Sequence, residues 1–220
     1  MTDIQVKICG VTSVSNANLV ETAGADAIGF NFYFKSKRYV EPKMAAKIVE
    51  FVGGRIIFVG VFVNASASEI ESIANTVTLT HVQLHGDEQP EIVAAIKEAA
   101  LPDVKIIRAV LVMDNDLDAA QLEIDRWQSA GCDLILLDAG TLQAYGGTGE
   151  QLDWARLEKL SFDVPWLLAG GLGPENVAEA IRLTKPNGVD VASGVESEPG
   201  VKDSDSVIVF CREAKSHLSR

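Results

Sequence analysis

The stretch GVDVASG, Gly188–Gly194, decides how the chain folds, because it carries the last of a series of short apolar runs from which the whole sequence is built. Working back from it, the other runs are Ile4–Cys9, Ala27–Phe32, Ile56–Val63, His81–Leu84, Lys105–Val112, Leu134–Asp138 and Trp166–Ala169, with Val189–Ala192 the eighth. They are rich in Val, Ile and Leu, the pattern of parallel strands covered on both faces. Between them lie segments of helical spacing with start signals at Pro42, Ser68, Pro90, Asp116 and Pro174. Such alternation also permits an open doubly wound sheet, but an eighth unit favours closure, and 220 residues leave little over for insertions. The expected fold is α/β, a single (β/α)8 TIM barrel spanning residues 1–220 as one domain.

Composition agrees with that reading. Apolar residues make up 47% of the chain and aromatics only 6%, so the core must be built from Val, Ile, Leu and Ala, which disfavours an all-β sandwich. No Pro-, Gly- or Ser-rich stretch divides the sequence. The opening MTDIQVKICG lacks the apolar core of a signal peptide and the longest apolar stretch, Ile56–Val63, is too short to cross a bilayer, so a soluble cytoplasmic protein is expected. Cys9, Cys132 and Cys211 have neither zinc-ribbon nor redox-motif spacing and are expected as reduced thiols. A net charge of −12 argues against nucleic acid and anionic membranes as partners. It also repels a small anion at long range, so any phosphate must be held by local backbone N–H groups and a few placed cations.

Glycines divide into two sets. Gly24, Gly131 and Gly188 lead into apolar runs, where they can supply left-handed helix caps. Gly10, Gly86, Gly170, Gly171 and Gly194 follow runs, at the ends where a barrel exposes its active site. Cys9 stands beside Gly10 at such an end, and its position alone fits either a small buried hydrophobe or a thiolate base. Asp138 emerges from the run Leu134–Leu137; it can serve as a cap, or as a shielded carboxyl with the raised pKa of a proton donor. Lys7 shares strand parity with Cys9, and Asp190 lies on the strand that closes against the first. The two are therefore expected to pair inside the barrel and set the field beneath Cys9. His81 and His85, about 13 Å apart along a strand, do not read as a metal pair. Cys132 and Cys211 are expected to be packing residues.

The motifs VKICG (Val6–Gly10), GFNFYFKSKRYV (Gly29–Val40), VGVFVN (Val59–Asn64), VQLHGDE (Val82–Glu88), ILLDAG (Ile135–Gly140), GGTG (Gly146–Gly149), LAGGLGPENV (Leu168–Val177) and VDVASGVE (Val189–Glu196) occur in this order over nearly the whole chain. Their ordered combination resembles the phosphoribosylanthranilate isomerase family. The resemblance implies an Amadori rearrangement of a phosphoribosyl aminobenzoate, a step of tryptophan biosynthesis, with Cys9 as general base and Asp138 as general acid. It also implies Arg38 facing the anthranilate carboxylate; His85, which follows the fourth run, fits either a pocket-lining residue or a hydrogen-bonded structural histidine. Gly170, Gly171, Ser193 and Gly194 would lie at the phosphate, with Gly147 in a loop closing over the site. No cofactor or metal is implied, because an iminium formed from the substrate is itself the electron sink. The partner is a phosphorylated small molecule, and monomer and homodimer are both compatible with the sequence. Lys37 stands where the family usually has Pro, and Ala192 where it often has Ser.

Rival readings lack their residues. An indole-glycerol-phosphate synthase would carry catalytic Lys and Glu on several strand ends, and a ribulose-phosphate epimerase a two-His metal site. A dual-substrate isomerase also serving histidine synthesis would have Asp in place of Cys9. A noncatalytic phosphate-sensing barrel would be expected to have lost Cys9 or Asp138; both are present.

Overall fold

A computed structural model describes residues 4–54, 56–99, 103–113, 115–139 and 153–218. Eight parallel strands close in sequence order: β1 (Val6–Cys9), β2 (Ala27–Asn31), β3 (Ile57–Phe62), β4 (His81–Leu84), β5 (Lys105–Val112), β6 (Leu134–Ala139), β7 (Trp166–Leu168) and β8 (Gly188–Val191). Closure is explicit, since β1 pairs with both β2 and β8. The fold is therefore the expected (β/α)8 barrel. The helices are α1 (Val14–Thr22), α2 (Pro42–Val52), α3 (Ala67–Val77), α4 (Ile92–Glu98), α5 (Leu117–Ser129), α6 (Val177–Thr184) and α7 (Ser204–Leu218). Among the described residues between β6 and β7 there is only a 3-10 turn, Trp154–Lys159. A feature with no counterpart in the expected pattern follows β8: a short 3-10 turn, Ser193–Val195, and a two-stranded ribbon of β9 (Glu196–Glu198) and β10 (Val201–Lys202).

Strand alternation builds two cores. Ile8, Ile28, Phe30, Val82, Leu84, Ile135, Leu137, Val189 and Val191 pack outward in one cluster with helical residues such as Ala17, Ile48, Ile70 and Phe210. Ala27, Val59, Ile107, Ala109, Leu134, Leu136, Leu167 and Ala169 fill the barrel axis. A period of two along each strand sends neighbours to opposite faces, so a single sequence register decides both clusters. Cys132 and Cys211 are buried packing residues as expected, and burial pushes each thiol up to about 12.

Helix starts follow the sequence signals with adjustments. Pro42 opens α2 at its first position, and the Asp116 side chain caps α5 by accepting from Ala119 N. The α3 cap is Ser66 rather than Ser68, because Ser66 and Glu69 complete a reciprocal capping box. Pro90 and Pro174 lie in turns, two and three residues ahead of α4 and α6.

Gly24 (φ 84) and Gly131 (φ 88) take the expected left-handed conformation after α1 and α5. Gly188 does not. It lies within β8, and Lys185 (φ 51) caps α6 instead. Glycine is required there for another reason: a Cβ would stand 2.5 Å from Ile4 O and 2.7 Å from Gln5 O of the neighbouring strand segment. The residues around these glycines also fasten strand starts. Asp26 Oδ2 accepts from Val6 N at 2.9 Å, Asp133 Oδ2 from Ile106 N at 2.8 Å and Asn187 Oδ1 from Trp166 N at 2.9 Å.

Candidate active site

Since Val6 and Ile8 face the helices, Lys7 and Cys9 face the barrel axis; the same alternation turns Gln83 of β4, Asp138 of β6 and Asp190 of β8 inward. Cys9 and Asp138 lie at the C-terminal ends of their strands, where a barrel of this kind opens. The Cys9 thiol occupies space left by its register partner Gly29, where a Cβ would lie 2.8 Å from Cys9 Sγ.

Lys7 and Asp190 are register partners across the closing seam, and Lys7 Nζ donates to Asp190 Oδ1 at 2.8 Å, as the sequence led us to expect. Burial pulls the Lys7 ammonium down, but Asp190 and Cys9 outweigh it and hold its pKa above the ordinary 10.5. For Cys9, burial pushes the thiol up from 9.0; Lys7 pulls it down, Asp190 pushes it up and Lys202 pulls it down, leaving it raised. Lys7 thus remains charged beneath a thiol that burial keeps protonated more than usual.

Lys202, from the short ribbon strand β10, reaches back to this end of the barrel. Its fully buried ammonium donates to Cys9 O, to Ala192 O at 3.1 Å and to Glu196 Oε1 at 2.8 Å. Glu196 also receives Arg38: Nε lies 3.0 Å from each carboxylate oxygen and Nη2 2.7 Å from Oε2. The Arg38 stem crosses Gly10, where a Cβ would meet Arg38 Cδ at 2.5 Å and φ is 78°. Arg38, expected to face a substrate carboxylate, is thus held by a carboxylate of the protein close to Cys9.

On the opposite wall, His85 follows β4 with Nε2 3.6 Å from Asp138 Oδ2, while its Nδ1 lies 2.9 Å from Gln83 Nε2. Burial, with Lys7 and Arg108 adding repulsion, pushes the imidazole down from 6.5 to about 3. His85 is therefore neutral at ordinary pH, and its approach to Asp138 is not an ion pair. With Gln83 donating to Nδ1, the imidazole proton belongs on Nε2, facing Asp138.

Gly170 (φ 83) and Gly171 (φ 62) follow β7 in the left-handed region that glycine alone adopts freely. Asn176 fixes their loop, accepting from Gly173 N at 2.8 Å and donating to Gly171 O at 2.9 Å. A Cβ on Gly194 would collide with Leu172 O, so the loops after β7 and β8 touch backbone to backbone. Asp138, Gly170, Gly171, Asp190, Ala192 and Ser193 line one cleft. The structure thereby brings the Gly170, Gly171 and Ser193 positions together with Asp138, while Gly147 lies outside the described residues. A larger cleft at the other end of the barrel, between Asp26, Gly53, Thr80 and Lys215, holds none of the expected site residues.

A sequence model of N-(5'-phosphoribosyl)anthranilate (PRA) isomerase matches residues 6–213, nearly the whole chain and every residue of this site that the structure describes. The chain belongs to the PRA isomerase family. It is accordingly an enzyme, an isomerase of tryptophan biosynthesis. An N-(5'-phosphoribosyl)anthranilate isomerase of Myxococcus xanthus is 44% identical over 214 residues, covering 97% of each chain. The crystal structure of the phosphoribosyl anthranilate isomerase of Thermotoga maritima superposes with a TM-score of 0.82 at 38% identity, covering 97% of this chain and 99% of that one. A structure of phosphoribosyl anthranilate isomerase in complex with reduced 1-(o-carboxyphenylamino)-1-deoxyribulose 5-phosphate superposes at 0.78, with 37% identity and coverage of 97% and 99%.

Against this PRA isomerase framework, three residues escaped the sequence reading. Glu196 closes the VDVASGVE motif but was assigned no role. Lys202 sits on a two-residue strand too short to show a pattern, and Asn176 sits in a turn. Nothing in the sequence around Lys202 distinguishes it from an exposed surface charge.

Proposed function

We propose that this isomerase converts N-(5'-phosphoribosyl)anthranilate to 1-(2-carboxyphenylamino)-1-deoxy-D-ribulose 5-phosphate using Cys9 as general base and Asp138 as general acid, with residues 1–220 acting as one catalytic domain in the cytoplasm. The observation that carries the reading is that an inward thiol and an inward carboxyl stand at the same end of the barrel, on β1 and β6.

Protonated Asp138 delivers its proton to the furanose ring oxygen as the C1–O bond breaks, and the anilino nitrogen lone pair forms the iminium. The Cys9 thiolate takes the proton from C2, and the C–H electron pair flows into the iminium to give an enolamine. Protonation of C1 and loss of the C2 hydroxyl proton then give the ketone. Returning the Cys9 proton to C1 and the hydroxyl proton to Asp138, directly or through water, restores both groups. The iminium accepts the electron pair, so these steps call for no redox cofactor or metal. Lys7 and Lys202 favour the thiolate, while His85 holds a neutral N–H toward Asp138.

Gly170, Gly171, Ser193 and Gly194 are proposed to present backbone N–H groups to the phosphate, with Gly147 joining them on sequence grounds. Ala192 offers no hydroxyl, which leaves that role to the backbone. Arg38 is proposed to meet the aryl carboxylate.

The test is the fluorescence decay of freshly condensed phosphoribosylanthranilate with wild type, Cys9→Ala and Asp138→Asn. Rapid wild-type decay, lost by about 10²- to 10⁴-fold in each folded variant, is the expected result. A wild type that binds the reduced product analogue yet never turns over the substrate would overturn the enzymatic reading.

A further inference from the structure

The guanidinium of Arg38 is only half used by the protein. Glu196 takes the Nε–H and one Nη2–H, and among the described residues nothing takes Nη1. A planar guanidinium has two edges able to hold a carboxylate bidentately, and engaging the Nε/Nη2 edge leaves the Nη1/Nη2 edge open and fixes its direction. Glu196 is itself held. Its carboxylate receives Lys202 Nζ at 2.8 Å and Gly200 N at 3.3 Å, and its side chain is 3% exposed against 17% for Arg38. The series runs inward from the partly open Arg38, through Glu196, to a buried Lys202 whose remaining donors hold the backbone carbonyls of Cys9 and Ala192.

We propose that Glu196 is a positioning residue for substrate recognition: it aims the open edge of Arg38 as the docking point for the substrate's aryl carboxylate and, through Lys202, fixes that point relative to Cys9. The proposal rests on the reaction assigned above and on Arg38 meeting the aryl carboxylate. Charge supports it. Two cations and one anion leave a net positive site at the barrel mouth of a chain whose overall charge of −12 repels anions. Burial pushes the Glu196 carboxyl up, but Arg38 and Lys202 pull it below 4.5, so the anion that orients the guanidinium persists at working pH. Geometry supplies the reason for rigidity, since a small displacement of the reacting carbon from the base costs rate steeply.

The test compares two glycosylamines made by condensing ribose 5-phosphate with anthranilate or with aniline, which lacks the carboxylate. Turnover of both is followed by the new C1 methylene signal in the NMR spectrum. For Glu196→Gln, which keeps the shape and loses the charge, kcat/KM for the anthranilate substrate is expected to fall about tenfold or more while kcat/KM for the aniline substrate falls far less. Arg38→Lys, whose ammonium has no second edge, should also lose the preference for the anthranilate substrate. Equal penalties on both substrates in Glu196→Gln would reduce Glu196 to a structural role and overturn the proposal. Should that variant not fold, an Arg38→Lys enzyme with its preference intact would overturn it as well. A wild type inactive on both substrates removes the assigned reaction and this inference together, whereas an active wild type with unselective variants removes the inference alone.

Discussion

Lys7 Nζ meets Asp190 Oδ1 at 2.8 Å across the seam where β1 closes on β8, with the Lys7 side chain fully buried and Cys9 two residues further along the same inward face. A buried ammonium without a partner is costly, and removing one member of a buried pair strands the other. Lys7→Met is expected to lose about 3–5 kcal/mol in urea unfolding at pH 7, because the buried Asp190 carboxyl loses its partner. The sign of the pH dependence follows from the raised Lys7 pKa: the pair's contribution is complete below 10.5 and fades as pH rises through the higher folded value. Unchanged stability together with unchanged turnover would remove both the structural and the electrostatic role of this pair.

The Cys9 thiol carries the same field into catalysis. Burial holds its pKa above 9.0 despite Lys7 and Lys202, so the thiolate is a minor species at pH 7 and grows about tenfold for each pH unit. We expect the rate of Cys9 alkylation by iodoacetamide, which reads the thiolate alone, to climb about tenfold per unit between pH 7 and 9. An alkylation rate flat over that window would mean that the thiol is already ionised at pH 7 and that burial does not hold its proton.

These two residues mark how far the sequence alone could be read. Strand parity on β1 and β8 is enough to place Lys7, Cys9 and Asp190 on one face, because alternation along a strand is local. The eight apolar runs likewise foretell the barrel, since a parallel strand buried on both faces writes its hydrophobicity without interruption. Gly188 shows where local reading fails: its glycine answers a carbonyl brought close by β1, a contact made only by closure, and not the cap its neighbours suggest. Lys202 fails in the same way. Its burial depends on carbonyls at the ends of β1 and β8, distant in sequence, and on a carboxylate six residues upstream. Arg38 was legible as a carboxylate binder, but not as one already holding Glu196.

His85 makes a prediction opposite in sign to that of Lys7. Its folded pKa is pushed down from 6.5 to about 3 by burial, so between these values the unfolded chain binds a proton that the folded one refuses. Stability attributable to His85 is therefore intact above 6.5 and declines as pH falls, by up to about 1.4 kcal/mol per unit. Between pH 7 and 5, wild type should lose about 2 kcal/mol more than His85→Gln in urea unfolding. The wild-type imidazole should also show an Nε2–H tautomer in nitrogen NMR that does not titrate over this range. Identical acid losses in the two proteins would mean that the imidazole is accessible to protons after all.

Gly29 separates catalytic placement from stability. It faces Cys9 across the β1–β2 ladder, and an added methyl would lie 2.8 Å from Cys9 Sγ, 3.1 Å from Cys9 Cα and 3.2 Å from Lys7 Cε. The backbone atom cannot swing aside as a side chain can, so the strand end itself must give. Overpacking of this kind costs about 1–3 kcal/mol. Displacing the base by a fraction of an ångström acts on the rate more strongly, since about 1 Å of misplacement can cost on the order of 10²-fold. Gly29→Ala is therefore expected to fold, to melt somewhat earlier, and to lose kcat at least about tenfold with little change in binding of the reduced product analogue. Gly24→Ala serves as the control, because its Cβ would meet no atom within 4 Å and its cost lies only in a φ of 84°. It should lower stability while leaving kcat alone. If Gly29→Ala instead kept full kcat, the thiol would not need the position in which β1 and β2 hold it, and the case for Cys9 as the base would lose its geometric foundation.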